Sequence, residues 1–274
     1  MIEERAPSEL GAYAGYFHAP QAELAVASIA EGNTRGRLWV AANRTGDDAA
    51  LLWDQGNNVL YLSGLLASEG VVETLAALVA GPLRAQSLAE GRPYFAARPL
   101  TPQARALLST VIHGIELHEV GKELYSCPRP ASAPEPATED LRVAPIDAEL
   151  LARGDITGVD EVRDEVRQMW PSEELFLKRG MGLVALVGDR VACWCTTEYV
   201  SQRRCGIGIA THPEHRLRGI ATFLAAQLAA DWLRRGVTPY WDCRAENLAS
   251  SRVARKAGFA LVERFSMWAG RFEY

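Results

Sequence analysis

The sequence lacks the long apolar run that a membrane span requires, since none of its apolar stretches approaches about 18 residues. It also lacks a surplus of basic residues, because 29 Lys and Arg stand against 34 Asp and Glu, a formal net charge of −5. This balance argues against a surface built to bind nucleic-acid phosphates or anionic lipid. The first residues, MIEER, show no basic start followed by an apolar core, so we expect no secretory signal and a cytoplasmic protein.

Cysteine is scarce, and the five cysteines are too scattered for a secreted disulfide framework. Cys193 and Cys195 would share one face of a strand, and with Cys205 and Cys243 they suggest a four-cysteine metal site. Structural zinc sites usually draw ligands from pairs about two to four residues apart, and only one close pair exists here. We therefore expect small buried side chains and no metal.

A proline-rich segment divides the chain. Residues 126–140 read SCPRPASAPEPATED, a composition typical of a stiff, extended tether. The predicted organisation is a first domain at 1–125, a linker at 126–140 and a second domain at 141–274. Residues 1–140 carry 10 Lys and Arg against 17 Asp and Glu, whereas residues 141–274 carry 19 against 17. The more basic second half would suit an anionic small ligand.

The second half is predicted to be α/β from its hydrophobic periodicity. The expected strands are 141–146, 182–187, 191–199, 205–211, 239–243 and 259–269, and the expected helices are 148–153, 159–169, 219–235 and 247–257.

The segment that joins the strand at 205–211 to the helix at 219–235 carries the chemistry. Residues 211–222 read THPEHRLRGIAT, with Arg-x-x-Gly-x-Ala at 216–221. The first amides of a helix have no intrahelical partner and its dipole favours negative charge, so a pyrophosphate can bind there. Gly219 and Ala221 leave the backbone accessible, and Arg216 and Arg218 add positive charge. The alternative is an ordinary turn with solvated arginines.

Together with NLASSRVARKAGF at 247–259, this loop resembles the GNAT superfamily of acyl-CoA-dependent N-acyltransferases. That family has a (Gln/Arg)-x-x-Gly-x-(Gly/Ala) pyrophosphate loop and a later Asn-x-x-(Ala/Ser) helix that ends in Gly-Phe. The resemblance covers 141–274 and implies an α/β (α+β GNAT) fold, a mixed central sheet flanked by helices. A closer likeness, to the zwittermicin-resistance type, rests on residues 170–180 (WPSEELFLKRG), 207–221, and Trp241-Asp242-Cys243 with Asn247 and Ser250.

The resemblance implies acetyl-CoA as co-substrate and direct attack by an amine in a ternary complex. The main chain of Ile209, Ala210 and Thr211 would pair with the pantetheine arm where two central strands separate, and a strand amide there would hold the oxyanion. Asn247 would hydrogen-bond the cofactor near its pantetheine end. The remaining cofactor-binding residues would be Arg216, Leu217, Arg218, Gly219, Ile220, Ala221, Thr222 and Ser250.

The groups that would transfer protons depart in part from the family pattern. Many family members carry a Tyr seven residues after the Asn as general acid, and here that position is Ala254. A thiolate with an unperturbed pKa of about 8.5 can leave without an acid if solvent or an amide dipole stabilises it. For the general base the candidates are Asp242, which could instead cap its strand, and Glu198, near the end of another strand.

Other polar and aromatic residues have simpler interpretations. Glu173 and Glu174 are expected to begin a helix, and His212 and His215 to lie in the turn before the loop. Three tryptophans are expected in the core, with a substrate-pocket wall as the alternative: Trp170, Trp194 and Trp241.

No chemical motif stands out in residues 1–125. The predicted order is helices at 8–15 and 21–31, strands at 37–42, 49–54 and 58–62, a helix from 68 to Gly81-Pro82, a strand at 94–97, a helix from Thr101-Pro102 and a strand at 114–120, with turns at 43–48 and 55–58. This order parallels the second half and predicts two tandem GNAT-like domains. The first would be degenerate, because LLASEG at 65–70 has no arginine and carries an acid. Its expected work is to pack on the second half and wall off the acceptor site.

The predicted function is acetyl transfer to a primary amine of a small, antibiotic-like or amino-bearing molecule, with no nucleic-acid or membrane partner and with a monomer or a homodimer left open. One alternative is an inactive acyl-CoA-binding relic that serves as sensor or scaffold. Another is an acetyltransferase whose acceptor is a protein amine.

Overall fold

The computed structural model of the protein describes residues 2–41, 49–64 and 69–273. The predicted turn at 43–48 and residues 65–68 of the predicted degenerate loop lie outside this part of the chain. The chain forms two compact units, which we call unit 1 (Met1–Gly121 with Phe265–Tyr274) and unit 2 (Lys122–Arg264).

The strands of the described residues are β1 (Ile2–Arg5), β2 (Gly36–Ala41), β3 (Ala49–Asp54), β4 (Val59–Gly64), β5 (Tyr94–Pro99), β6 (His118–Ser126), β7 (Leu141–Pro145), β8 (Gly182–Val187), β9 (Arg190–Val200), β10 (Arg204–Thr211), β11 (Thr238–Arg244) and β12 (Ala260–Arg271). The helices are α1 (Leu10–Tyr13), α2 (Pro20–Ala30), α3 (Glu69–Leu78), α4 (Arg84–Ala89), α5 (Pro102–Ala106), α6 (Leu108–Val111), α7 (Ala148–Leu151), α8 (Val159–Met169), α9 (Glu173–Arg179), α10 (Ile220–Arg234) and α11 (Leu248–Lys256).

In unit 1, β1 to β4 form an antiparallel meander, and β5 then pairs parallel to β4. The last residues of β12, Trp268–Arg271, pair antiparallel with β5. β3 is buried along its whole length, as expected for a near-continuous apolar strand that is covered on both faces. The final strand of the chain therefore completes the sheet of unit 1.

Two predictions for helices in unit 1 have different outcomes. The start at Thr101-Pro102 is confirmed, because the Thr101 side chain accepts a hydrogen bond from the Ala104 amide and Pro102 occupies the first turn. The predicted stop at Gly81-Pro82 is wrong, because Val79–Leu83 form a π-helical segment that joins α3 to α4. The wider i→i+5 turn accommodates the missing proline N–H and keeps the helix continuous.

Unit 2 repeats the same pairing order. β7 to β10 are antiparallel neighbours, and β11 pairs parallel to β10. Residues 122–126 of β6 then pair antiparallel with β11. The repeated order agrees with the predicted tandem arrangement, and α8 and β8 have the bounds that the periodicity predicted.

Two layers of helices cover the sheet of unit 2. On one face, Glu165 of α8 accepts a hydrogen bond from the Trp194 indole of β9 at 2.6 Å. On the other, the Trp232 indole of α10 donates to the Thr197 hydroxyl of β9 at 3.0 Å. Alternate residues of β9 thus face α8 and α10, as the two-residue period of a strand requires.

The segment predicted to be a linker differs from a free tether. The strand predicted at 114–120 is wrong in its bounds: β6 runs from His118 to Ser126, because its second half finds a hydrogen-bonding partner in β11. Cys127 is buried and its amide donates to the Pro239 carbonyl at 2.8 Å, and the Ala131 amide donates to the Ala257 carbonyl at 3.1 Å. Residues 126–140 accordingly belong to unit 2.

Across residues 2–41, 49–64 and 69–273, the helices lack the combination of length and apolarity that crossing a lipid bilayer demands.

Candidate active site

The central feature of unit 2 is a gap between β10 and β11. The two strands pair only from Arg204 to Gly206, opposite Thr238 to Tyr240. β10 continues to Thr211 with β9 as its neighbour, while β11 continues to Arg244 beside β6. Among the described strands, none pairs with the second edge of residues 207–211. Three of the predicted cofactor-binding residues lie in this stretch and are half-buried: Ile209, Ala210 and Thr211.

The gap ends at the predicted phosphate loop. Pro213–His215 form a single 3₁₀ turn after β10, and α10 begins at Ile220 after Gly219. The first helical hydrogen bond joins the Phe223 amide to the Gly219 carbonyl at 3.1 Å. Within the described residues, the amides of residues 217–222 have no acceptor. A row of free amides at the start of a 15-residue helix is an anion-binding arrangement.

Backbone conformation creates this row. Leu217 and Gly219 both have positive φ, 63° and 82°. Left-handed residues in a turn can direct neighbouring N–H groups toward one point, which is the geometry of an anion-binding nest. A Cβ on Gly219 would meet no atom within 4 Å, so glycine is favoured here by its conformation and not by space.

The two arginines of the loop differ in their contacts. The Arg216 Nε donates to the Thr211 carbonyl at 3.1 Å and so ties the loop to the end of β10. Arg218 is exposed. With Leu217 it lines a cleft of about 670 Å³, whose other wall is formed by residues 137–140 and Val187.

Asn247 and Ser250 lie at the start of α11. Asn247 caps the helix, because its Oδ1 accepts a hydrogen bond from the Ser250 amide at 3.1 Å. Its Nδ2 has no partner in the described part of the chain and is left to donate to a ligand. The Ser250 hydroxyl accepts from the Trp241 indole at 3.0 Å, and Ala254, one turn further, is fully buried.

The two candidate bases lie on the two strands that flank β10: Asp242 on β11 and Glu198 on β9. Asp242 is half-buried on β11, and its carboxylate forms an ion pair with Lys122 Nζ of β6 at 3.1 Å. Glu198 lies on β9 at a break in the pairing with β10, since Gly206 faces Tyr199 and Ile207 faces Thr197. Glu198 is therefore the extra residue of a β-bulge, a device that re-aims side chains near active sites.

Sequence reasoning missed Glu165, whose only signal was its place in a predicted amphipathic helix. Its carboxylate accepts from the Trp194 indole at 2.6 Å and from the Thr196 hydroxyl. The same two β9 residues face Ala210 and Gly208 of β10, so Glu165 lies on the face of the sheet that α8 covers. Lys122 was missed for another reason: it precedes the boundary predicted for the second domain.

The structure also confirms the simpler interpretations of the other polar and aromatic residues of this region. Ser172 caps α9, with Glu173 and Glu174 in its first turn. His212 packs edge-on against Trp194 at 5.5 Å between ring centroids, and His215 is buried in the 3₁₀ turn. The tryptophans expected in the core are buried: Trp170, Trp194 and Trp241.

All five cysteines are buried free thiols. Burial raises the pKa of Cys193 to about 12 and that of Cys127 to about 11, so neither is a ready nucleophile or metal ligand. Among the described residues, no group of three or more His, Cys, Asp or Glu side chains could hold a metal ion.

A second network lies on the α11 face of unit 2. Glu123 of β6 is buried and accepts hydrogen bonds from the Tyr125 hydroxyl and, at 3.1 Å, from Arg264 Nε. Arg255 lies 3.7 Å from the same carboxylate. The Tyr125 hydrogen bond is the main cause that lowers the pKa of Glu123, and burial raises the pKa of Tyr125.

Comparison with known proteins places this geometry in context. A family model described as GNAT acetyltransferase matches residues 15–268. The uncharacterized N-acetyltransferase YdfB of Bacillus subtilis is 31% identical over 101 residues, which are 37% of this chain and 39% of that protein. The alignment thus spans about two fifths of that relative.

Solved structures share the fold at low identity. A GCN5-related N-acetyltransferase-like protein from Streptococcus suis has a TM-score of 0.64 at 20% identity, with 97% of this chain and 100% of that chain covered. A tandem GNAT protein from the clavulanic acid biosynthesis pathway has a TM-score of 0.58 at 16% identity, with 100% and 99% covered. The fold is thus the mixed α/β GNAT fold in tandem. Because the family model spans most of its length, the chain belongs to the GNAT acetyltransferase family.

Proposed function

We propose that the protein is an acetyl-CoA-dependent N-acetyltransferase that acetylates a primary amine of a small molecule, with unit 2 as its catalytic domain. One observation carries the proposal: the gap between β10 and β11 leads directly to the free amides of residues 217–222 at the start of α10. This combination offers a channel with unpaired main-chain groups and, at its end, a site for two phosphates.

The donor groups of this site fit acetyl-CoA. The amides of residues 217–222, with Arg218 beside them, would bind the pyrophosphate. The unpaired main chain of residues 209–211 would hydrogen-bond the pantetheine arm, and the Asn247 Nδ2 would donate to one of its carbonyls. When bound, acetyl-CoA supplies an acetyl carbonyl activated as a thioester.

Transfer requires a neutral amine and a stabilised oxyanion. A carboxylate, Asp242 or Glu198, would accept one proton from the acceptor ammonium, after which a C–N bond forms and the C–S bond breaks. A main-chain amide near Ile209 or Thr211 would stabilise the charge on the carbonyl oxygen. Ala254 cannot donate a proton, so the proton that the new amide loses would reach the thiolate through solvent.

Electrostatics favour a cationic acceptor. Glu165, Glu198 and Asp242 lie on the face of the sheet that α8 covers, and Lys122 is the ion-pair partner of one of them. Negative charge around the acceptor site attracts an ammonium and discriminates against acids. The likeness to the zwittermicin-resistance type extends the proposal to amino-bearing, antibiotic-like metabolites.

A second candidate is a CoA-binding relic that senses acyl-CoA without turnover, which Ala254 favours. Calorimetric titration with acetyl-CoA and with CoA, followed by thiol release with a panel of amines, separates the two. Micromolar binding with amine-dependent thiol release supports the enzyme, whereas binding without release supports the relic. If neither ligand binds, both proposals fail.

A further inference from the structure

We propose that Gly208 is a positioning residue: its lack of a side chain lets the Glu198 carboxylate lie over β10, and this makes Glu198 the group that deprotonates the acceptor amine. The inference rests on the proposed function and chooses between its two candidate bases.

The contact between Gly208 and Glu198 is unusually close. A Cβ built on Gly208 would overlap Oε1 of Glu198 and lie only 3.0 Å from its carboxyl carbon and 3.1 Å from its Cγ. Any other residue at 208 would displace this carboxylate. A glycine inside a strand commonly marks such a close approach, and no turn requires it here.

Gly208 lies beside the gap between β10 and β11, where the cofactor is proposed to bind. Gly208 lies two residues beyond Gly206, where β10 and β11 stop pairing, so the carboxylate lies over the stretch of β10 that borders the gap. In the β9–β10 ladder, Gly208 pairs with Thr196, and Glu198 is the unpaired residue of the bulge. The bulge therefore lets the Glu198 side chain contact Gly208, which is not its partner in the ladder.

Asp242, the other candidate base, has a charged partner within unit 2. Asp242 is paired with Lys122 at 3.1 Å, and both side chains are mostly shielded from solvent, 31% and 18% exposed. Its lone pairs are thus shared with an ammonium of the protein. Glu165, the acid that α8 contributes to this face, is held by Trp194 and Thr196. A proton acceptor must lie within reach of the reacting amine, and the contact with Gly208 holds the Glu198 carboxylate over the part of β10 that borders the gap.

The variant Gly208→Ala tests the inference without unfolding the protein. The overlapping atom is the far end of a flexible side chain, so Glu198 can rotate away at little cost to stability. We expect kcat to fall at least 10-fold, with unchanged affinity for CoA in calorimetry. Glu198→Gln should lower kcat about 100-fold, and it should remove the limb of the kcat/KM pH profile that reports the base.

A double-mutant cycle makes the test specific. If Gly208 acts through Glu198, Gly208→Ala combined with Glu198→Gln should be no slower than Glu198→Gln alone. Gly154→Ala is the control, because a Cβ on this exposed glycine meets nothing within 4 Å, and it should match the wild type.

Three results would overturn the inference: a wild-type rate in Gly208→Ala, losses that multiply in the double variant, or a base limb that survives Glu198→Gln and disappears in Asp242→Asn. Failure of the proposed function looks different, because the wild type would then show no amine-dependent thiol release.

Discussion

The two units share one pairing order but differ at the strands that would flank a ligand. In unit 2, β10 and β11 part after three residue pairs. In unit 1, β4 and β5 stay paired from Val59 to Leu62, and the Leu100 amide extends the ladder to the Leu62 carbonyl at 2.8 Å. The Thr101 hydroxyl then donates to the Gly64 carbonyl at 2.9 Å. The gap is therefore a property of strand length and pairing and not of the fold.

In unit 1, buried side chains on β4 and β5 form a hydrogen-bonded cluster with α2. Arg98 of β5 is buried, its Nη1 donates to the Gln21 Oε1 at 2.9 Å, and its guanidinium lies 3.9 Å from the Phe265 ring centroid. The Gln21 Nε2 in turn donates to the Tyr61 hydroxyl at 2.6 Å. Among the described residues, β4 and β5 thus show no gap like that between β10 and β11, which supports the interpretation of unit 1 as degenerate.

The largest expected effect is on phosphate binding. Gly219→Asp adds a negative charge beside the free amides at a backbone conformation that L-residues disfavour. We expect the affinity for CoA to fall on the order of 100-fold, about 2.8 kcal/mol, in calorimetry. The matched control is Gly91→Asp in unit 1, a glycine with φ of 68° and the same open surroundings. It should lose about 1 kcal/mol of stability through the backbone alone and bind CoA normally. Equal losses of affinity in both variants would contradict the assignment of the site.

The next prediction concerns how much a buried charged residue contributes to the free energy of unfolding. Unit 1 buries Asp54 and Arg98, and unit 2 buries Glu123. Because the pKa of Glu123 lies below its ordinary value of 4.5 in the folded state, its ionised form stabilises unit 2 above that pH, and this stabilisation is lost as the pH falls below it. Glu123→Gln should cost about 2 kcal/mol at pH 7 in urea unfolding, and the cost should shrink below about pH 4. A cost that does not change with pH would mean that packing, not charge, is responsible.

The smallest expected effect is at Asn247, where variants can distinguish its role as a helix cap from its proposed role in CoA binding. Asn247→Ala removes the cap of α11 and the Nδ2 donor, so it should lower stability by about 1 kcal/mol and CoA affinity about 10-fold. Asn247→Asp keeps an acceptor for the Ser250 amide and should lose affinity with little loss of stability. Thr101→Ala, which removes the cap of α5 in unit 1, should show the reverse pattern. Thermal unfolding and calorimetry on the three variants measure both quantities, and normal CoA affinity in Asn247→Asp would exclude the amide as a ligand.

Much of the fold could be predicted because the local pattern is strong. The period of 3.6 in residues 159–169 and the apolar run at 182–187 gave the bounds of α8 and β8. The prediction failed where a distant partner decides the outcome. β6, for example, extends beyond residue 120 because β11 pairs with it. The predicted stop at Gly81-Pro82 failed for a local reason, because a π-turn accommodates the missing proline N–H.

The candidate site likewise has one part that depends on local sequence and one part that depends on distant contacts. The free amides at the start of α10, where we propose that phosphate binds, lie in one short segment that supplies the glycine, the small residues and the helix start, so a local pattern indicates them. The roles of the acids were not predictable, since each depends on contacts between elements far apart in sequence. Lys122 reaches Asp242 across 120 positions, Glu165 reaches Trp194 across 29, and Gly208 admits Glu198 only because a bulge shifts the register.

By itself, the sequence determined most of the elements and the glycine-containing turn before α10, since hydrophobic period, glycine position and helix start are local properties of the chain. Only the tertiary structure decided that β10 and β11 separate while β4 and β5 do not. It alone also assigned residues 122–126 of β6 to unit 2 and the end of β12 to unit 1. The physical reason is that strand pairing is a contact between distant segments, and no segment carries the information about where its partner ends.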